Sequence, residues 1–197
     1  MPTALLSTHD KTGLVPFAQR LVNLGWRLLA SGGTARLLRQ NDLPVIEVAE
    51  YTGSPEILGG RVKTLHPAIH GGLLARATEE DRRELQSLGW DYIDMVVVNL
   101  YPFEDTVASP TVTPQEIIEN IDIGGVTLIR AAAKNHDRVL LICDPADYSR
   151  VLQRLERGEV DAEFRRKLAM KGFSHTAHYD DAITRYFFGE DAMCLNL

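Results

Sequence analysis

Asp94-Met95-Val96-Val97-Val98-Asn99-Leu100 is the stretch on which the fold class turns. Three consecutive valines flanked by further apolar side chains leave no polar face, so a strand made from them is buried on both sides, like the central strands of parallel sheets. Outward from it, short apolar runs recur at Ala4 to Ser7, Trp26 to Ala30, Val45 to Val48 and Arg138 to Cys143. Amphipathic stretches separate them. Leu14, Phe17, Ala18, Leu21 and Leu24 share one helical face, and Gly25 follows where a left-handed cap is usual. Ala35 to Gln40 resumes a helical pattern, and Pro145 with Ala146 to Leu155 supplies a helix behind the last strand. Asp161 to Phe188 reads as one long helix or a broken pair, with Gly172 as the break. Strand, loop and helix repeated in this way predict an α/β domain, its mainly parallel sheet flanked by helices. A helical C-terminal extension is expected over about residues 161–190. No solenoid-period repeat or low-complexity linker interrupts the chain, so residues 1–197 read as one domain.

Composition narrows the function. Of 197 residues, 45% are hydrophobic and 24% charged, enough for a sizeable core and too apolar for intrinsic disorder. Lys and Arg number 21 against 27 Asp and Glu, a formal charge of −6. Such a chain lacks the basic face that nucleic-acid phosphates demand, so an anionic ligand has to be held by local cations and backbone amides. Cys143 and Cys194 form no C-x-x-C pair, which argues against a disulfide scaffold or a zinc site. No apolar run approaches the roughly 18 residues of a membrane span, and the N-terminus has no signal-peptide core. The expectation is a cytoplasmic protein with no nucleic-acid or membrane partner.

In open α/β sheets ligands bind beyond the carboxyl ends of the strands, so the loops after the expected strands are where chemistry belongs. Ser7-Thr-His-Asp10-Lys11-Thr12-Gly13 follows the first strand and Ser31-Gly32-Gly33-Thr34 the second. Small hydroxylated residues and glycines at a helix start free backbone N–H groups for a phosphate, or else make an ordinary N-cap and turn. Two such loops on neighbouring strands favour the anion site. Neither has Walker A spacing and no G-x-G-x-x-G is present, so a dinucleotide cofactor is not expected. Eight of the fifteen glycines form adjacent pairs (Gly32-Gly33, Gly59-Gly60, Gly71-Gly72, Gly124-Gly125), each expected where a loop meets an element. Arg61, Lys63 and Thr64 follow one pair; Asn120 and Asp122 precede another, ahead of a helical run with Arg130 and Lys134 four apart on one face. Asn99-Leu100-Tyr101-Pro102 closes the strongest strand. His66 and His70 have the i, i+4 spacing of a metal pair, but with no Glu between them and no third ligand no metal is expected. His175 and His178 read as polar core or interface residues, and no G-x-S-x-G elbow supports a serine nucleophile.

The segments Asp10–Gly13, Ala30–Thr34, Gly60–Pro67, Asn99–Phe103, Asn120–Gly125 and Arg130–His136 together resemble the inosine monophosphate (IMP) cyclohydrolase domain, in order over about residues 3–190. Arg61-Val-Lys-Thr-Leu-His-Pro67 is the most specific of them. In that family the domain is commonly the N-terminal part of a bifunctional purine-biosynthesis enzyme. The resemblance implies a methylglyoxal-synthase-like fold, with the transformylase domain absent from residues 1–197. One departure is His9, where the family usually has serine two positions before the loop lysine. A homodimer is also expected, because Phe164, Leu168, Phe173, Ile183 and Phe187 exceed what covering a small sheet needs.

The implied reaction closes the pyrimidine ring of a formamido-imidazole-carboxamide ribotide with loss of water, without a cofactor. By resemblance, Lys11, Thr12 and the turn Ser31, Gly32, Gly33 and Thr34 hold the 5′-phosphate, and Arg61 and Thr64 line the same pocket. Asn99, with the backbone of Asp122, Ile123 and Gly124, holds the base. Lys63 stabilises the developing oxyanion, Lys134 with Asp122 shuttles protons, and Tyr101 donates to an intermediate oxygen. Two rivals share the fold. A regulatory domain binding a phosphorylated effector needs the phosphate turns but not Lys63, Tyr101, Asp122 and Lys134 together. A methylglyoxal synthase, eliminating phosphate from dihydroxyacetone phosphate, does not need the Arg61–Pro67 loop.

Overall fold

A computed structural model describes residues 1–189, so Cys194 and the rest of 190–197 lie outside the described residues. In chain order the elements are β1 (Thr3–Thr8), α1 (Leu14–Asn23), β2 (Arg27–Ala30), α2 (Gly32–Gln40), β3 (Val45–Glu47) and α3 (Val48–Thr52). There follow a 3-10 turn (Leu58–Gly60), α4 (Pro67–Leu74), α5 (Glu79–Ser87), β4 (Met95–Asn99), α6 (Phe103–Ala108), α7 (Pro114–Glu119) and α8 (Gly124–Lys134). The chain continues through β5 (Leu140–Ile142), a second 3-10 turn (Pro145–Asp147), α9 (Tyr148–Arg157) and α10 (Ala162–Phe188).

The five strands form one sheet in the order β3-β2-β1-β4-β5, and every neighbouring pair is parallel. The valine-rich stretch is β4, paired with β1 so that Val96 lies beside Leu5 and Asn99 beside Thr8. Leu5, Leu29, Val96, Val98 and Leu141 point to one face, where α4, α8 and much of α10 cover them. Leu6, Leu28, Met95, Val97 and Ile142 point to the other, beneath α1, α2 and α9. Both faces are buried, which is why the strands read as unbroken apolar runs. From β1 the chain winds outward to β2 and β3, then crosses back to β4 and β5. The order therefore reverses between β1 and β4, and the crevice beyond their carboxyl ends is the place such sheets offer a ligand.

Helix α10 is one unbroken helix. Gly172, expected to break it, is instead a contact point: a Cβ there would lie 2.3 Å from Leu141 Cδ2 and 3.2 Å from Ile129 Cγ2. Glycine lets the helix backbone settle onto β5 and α8. The helix also crosses from one core to the other, with Phe164 and Leu168 buried on the α9 side and Ala169 and Tyr179 on the α8 side. This corrects the apolar surplus read from the sequence. Phe164 and Leu168 are used up within the chain and Ile183 packs partly against the core, leaving Phe173 and Phe187 exposed. Gly71-Gly72 departs from expectation too. The pair lies inside α4, where a Cβ on Gly72 would sit 2.7 Å from the Asp91 carbonyl oxygen. Among the described residues no helix is long and apolar enough to cross a membrane.

Candidate active site

The first two strand-end loops meet at the start of α2. Ser31 is its N-cap in extended conformation, and its hydroxyl makes no capping bond. The N–H groups of Thr34 and Ala35 return to the Ser31 carbonyl, while those of Gly32 and Gly33 belong to the first turn, which no carbonyl inside the helix reaches. Cations crowd this turn. A Cβ on Gly33 would lie 3.8 Å from Lys11 Cε and 3.7 Å from Arg36 Nη2, and one on Gly32 would lie 3.3 Å from Lys63 Nζ. A cleft of about 160 Å³ opens beside the turn, lined by Ser31, Gly32, Arg36, Glu47, Val48, Ala49 and Glu56. Free amides at the positive end of a helix dipole, beside Lys11, Arg36 and Lys63 and with Glu47 and Glu56 on the cleft wall, are suited to an anion.

The first loop is held rigid from below. Asn99, at the end of β4, accepts from the N–H groups of His9 and Asp10 at 2.7 and 2.8 Å and donates to the Asp10 carbonyl at 2.9 Å. Its amide positions the loop through these three bonds and keeps one Nδ2 N–H free for a ligand. Thr34 is likewise structural: its buried hydroxyl accepts from Thr8 N–H and donates to Thr8 C=O, both at 3.2 Å. The Thr12 hydroxyl, together with the Thr12 N–H donating to Asp10 Oδ1 at 2.8 Å, holds the Asp10 carboxyl below its usual range. Lys11 Nζ donates to the carbonyls of His9 and Thr8 at 3.1 and 3.4 Å, which keeps its ammonium against the loop.

A second cluster faces the first across the crevice. Asp122 Oδ1 accepts from Gly125 N–H at 2.6 Å, in the first turn of α8. A Cβ on Gly125 would stand 2.6 Å from Asp122 Oδ2, so only glycine lets the carboxylate fold back here. Burial raises the Asp122 carboxyl above its ordinary range, opposed by backbone N–H groups of Gly125 and Tyr101 and by the charges of His9 and Lys63. Thr64, buried beneath, would meet a Cβ on Gly124 at 3.1 Å from its hydroxyl. Tyr101 is exposed at the mouth, its ring centroid 4.6 Å from that of His9. Lys63 reaches over from the Gly60 turn and pairs with Glu56 at 3.7 Å. Ile123 is exposed beside Asp122, and Arg61 turns outward to Glu119 at 3.1 Å.

Lys11, Ser31, Gly32, Gly33, Lys63, Thr64, Tyr101, Asp122 and Gly124 thus gather at the carboxyl edge of the sheet. Lys134 does not. It is the last residue of α8, ten positions past Gly124 and so roughly 15 Å along the axis. The next residue, Asn135, donates to the carbonyls of Leu73 and Ala75 at the far end of α4, and Arg138 bonds the Ile93 carbonyl at the amino end of β4. A proton shuttle between Lys134 and Asp122 is therefore unavailable within one chain. Glu56, Arg36 and Tyr179 went unread in the sequence. Tyr179 of α10 accepts from the Asp122 N–H at 2.8 Å and donates to the Asn120 carbonyl at 3.3 Å, fixing the loop that carries the carboxylate. His66 caps α4 by accepting from Ala68 N–H. Among the described residues no group of His, Cys, Asp and Glu is arranged for a metal. Burial pushes the Cys143 thiol up to about 11, which leaves it unreactive.

The MGS-like domain profile matches residues 13–127. The chain belongs to the MGS-like domain family. Beyond that match, residues 132–196 match the AICARFT/IMPCHase bienzyme family. The bifunctional purine biosynthesis protein PurH of Synechococcus sp. (strain WH7803) is 56% identical over 189 residues, 94% of this chain and 36% of that protein. PurH of Sorangium cellulosum is 55% identical over 184 residues, 93% of this chain and 35% of the relative. PurH of Staphylococcus aureus (strain USA300) is 53% identical over 191 residues, 96% and 39%. The chain spans little more than a third of the length of these relatives. The crystal structure of ForH superposes with a TM-score of 0.85 at 40% identity, covering 95% of this chain and 97% of that one. The resemblance read from the loops and the α/β fold it implied are both borne out.

Proposed function

We propose that the chain closes the ring of a formamido-imidazole-carboxamide ribotide, a purine ribonucleotide precursor, to give IMP. One observation carries the reading: a cation-flanked helix N-terminus and a raised, half-buried carboxylate share one crevice, the first suited to a 5′-phosphate and the second to proton transfer. With the phosphate at Ser31–Gly33, the reacting ring extends towards Asp122, Tyr101 and Lys63. The carboxamide nitrogen attacks the formyl carbon of the same molecule. Its geometry is already intramolecular, so the protein's tasks are orientation, charge stabilisation and proton transfer.

Lys63 is the donor for the developing oxyanion, and its Glu56 partner keeps the ammonium aimed at the crevice before substrate arrives. Asp122, raised by burial, is suited to take a proton from nitrogen, and Tyr101 donates to an intermediate oxygen. No oxidation state changes, so the proposal includes no cofactor. Exposed Met170, Phe173, Phe187 and Phe188 on α10 support a homodimer as part of the reading, and a cytoplasmic setting fits its substrate. The test is spectrophotometric turnover of the formylated ribotide by the 197-residue chain. Turnover is expected, with Lys63→Ala lowering kcat by a factor on the order of 10² and changing KM less. No turnover by the wild-type chain would overturn the reading.

A further inference from the structure

We propose that His9 is the acid–base group that delivers a proton to the departing oxygen, an assignment that rests on the cyclohydrolase reading above. Ring closure has a strict proton balance. The carboxamide nitrogen forms a bond to the formyl carbon and gives up one proton, while the formyl oxygen gains one and becomes a hydroxyl. The C–O bond then breaks as that hydroxyl takes a second proton and leaves as water. The former formamide nitrogen loses its proton in the same stage, and the C=N bond forms. Two protons leave nitrogen and two reach oxygen, so a group able both to give and to take serves the second stage best.

Asp122 and Lys63 do not cover this exchange alone. Asp122 Oδ1 is tied to the Gly125 N–H, and Lys63 is paired with Glu56. Lys134 ends α8 at the other edge of the sheet. His9 stands where the proton is needed. Its backbone N–H is pinned by Asn99 Oδ1 at 2.7 Å, its ring lies 4.6 Å from that of Tyr101, and its charge acts on Asp122. Among the described residues neither ring nitrogen of His9 has a hydrogen-bond partner. The other five histidines are elsewhere engaged or enclosed. His66 caps α4, His136 meets the Ala133 carbonyl, His178 meets Glu104, and the Nε2 atoms of His70 and His175 are buried. The charged and titratable groups around His9 are Asp10 and Lys11 from its own loop, Tyr101 after β4 and Asp122 before α8, on whose carboxyl the Lys63 charge also acts.

The experiment is kcat against pH for wild type, His9→Gln, His9→Phe and His9→Ala with the formylated ribotide. The expected result is a fall in kcat on the order of 10² for each variant, KM within a few-fold, and loss of one limb of the wild-type pH profile. Added imidazole restores part of the rate to His9→Ala and none to His9→Phe. If His9→Phe keeps wild-type kcat and pH profile, the ring is only a stacking surface against Tyr101 and the assignment falls while the cyclohydrolase reading stands. If wild type itself does not turn over, both fall.

Discussion

At the scale of single residues, Asp122 sets activity against stability. Burial raises its carboxyl, so folding favours the protonated form; that contribution is complete below the unfolded value near 3.9 and is lost as pH rises through the folded one. Asp122→Asn keeps an acceptor for Gly125 and carries no charge. Relative to wild type it should gain stability between pH 3 and pH 7 in thermal melts at fixed ionic strength, while turnover is abolished. A wild type that gains on the variant over this interval would show that the amides outweigh burial. Lys63, Tyr101 and Asp122 were legible because each sits in a short loop rich in glycine or proline, where backbone conformation and chemistry are written in the same few letters. Lys134 misled because its spacing from Arg130 reports a shared helical face and says nothing about which end of the helix meets the site. Glu56 and Arg36 lie just outside the motifs, and only the folded Gly60 turn and the first turns of α2 bring them to Lys63 and Lys11.

Among the elements, the strands were readable to within a residue or two, since burial on both faces demands unbroken apolar runs. α10 was harder, because a glycine in a helical pattern is a break or a close contact with equal ease, and only the partner decides. Here the partner is Leu141, itself buried. Gly172→Val should destabilise the fold by about 1–3 kcal/mol, the cost of overpacking, with a few tenths recovered from helix propensity. Over a domain of this size that is a fall in melting temperature of roughly 2–10 °C. Alanine is the weaker probe, since about 1 kcal/mol of propensity gain works against the clash. An unchanged melting temperature for the valine variant would mean that α10 does not press on β5 as described.

For the whole molecule, the site is assembled from loops on both sides of the β1–β4 crossover, so occupancy and stability are linked. IMP at a hundred times its dissociation constant should stabilise the fold by about 2.7 kcal/mol, and Lys11→Ala should diminish the thermal shift at equal ligand concentration. An equal shift in the variant would move the phosphate away from the first loop. Tyr179 extends the linkage further. Its hydroxyl accepts the N–H of Asp122, and its helix is anchored in the cores on both faces of the sheet. That one backbone amide is consequently a deuterium clock for the docking of the last helix: it exchanges when the Tyr179 hydroxyl lets go of it. In wild type its exchange should keep pace with the slowest amides of β4, and in Tyr179→Phe it should accelerate while those of β4 do not. A pulse of heavy water followed by peptide mass analysis would read, from a single active-site amide, how firmly the far end of the chain is docked.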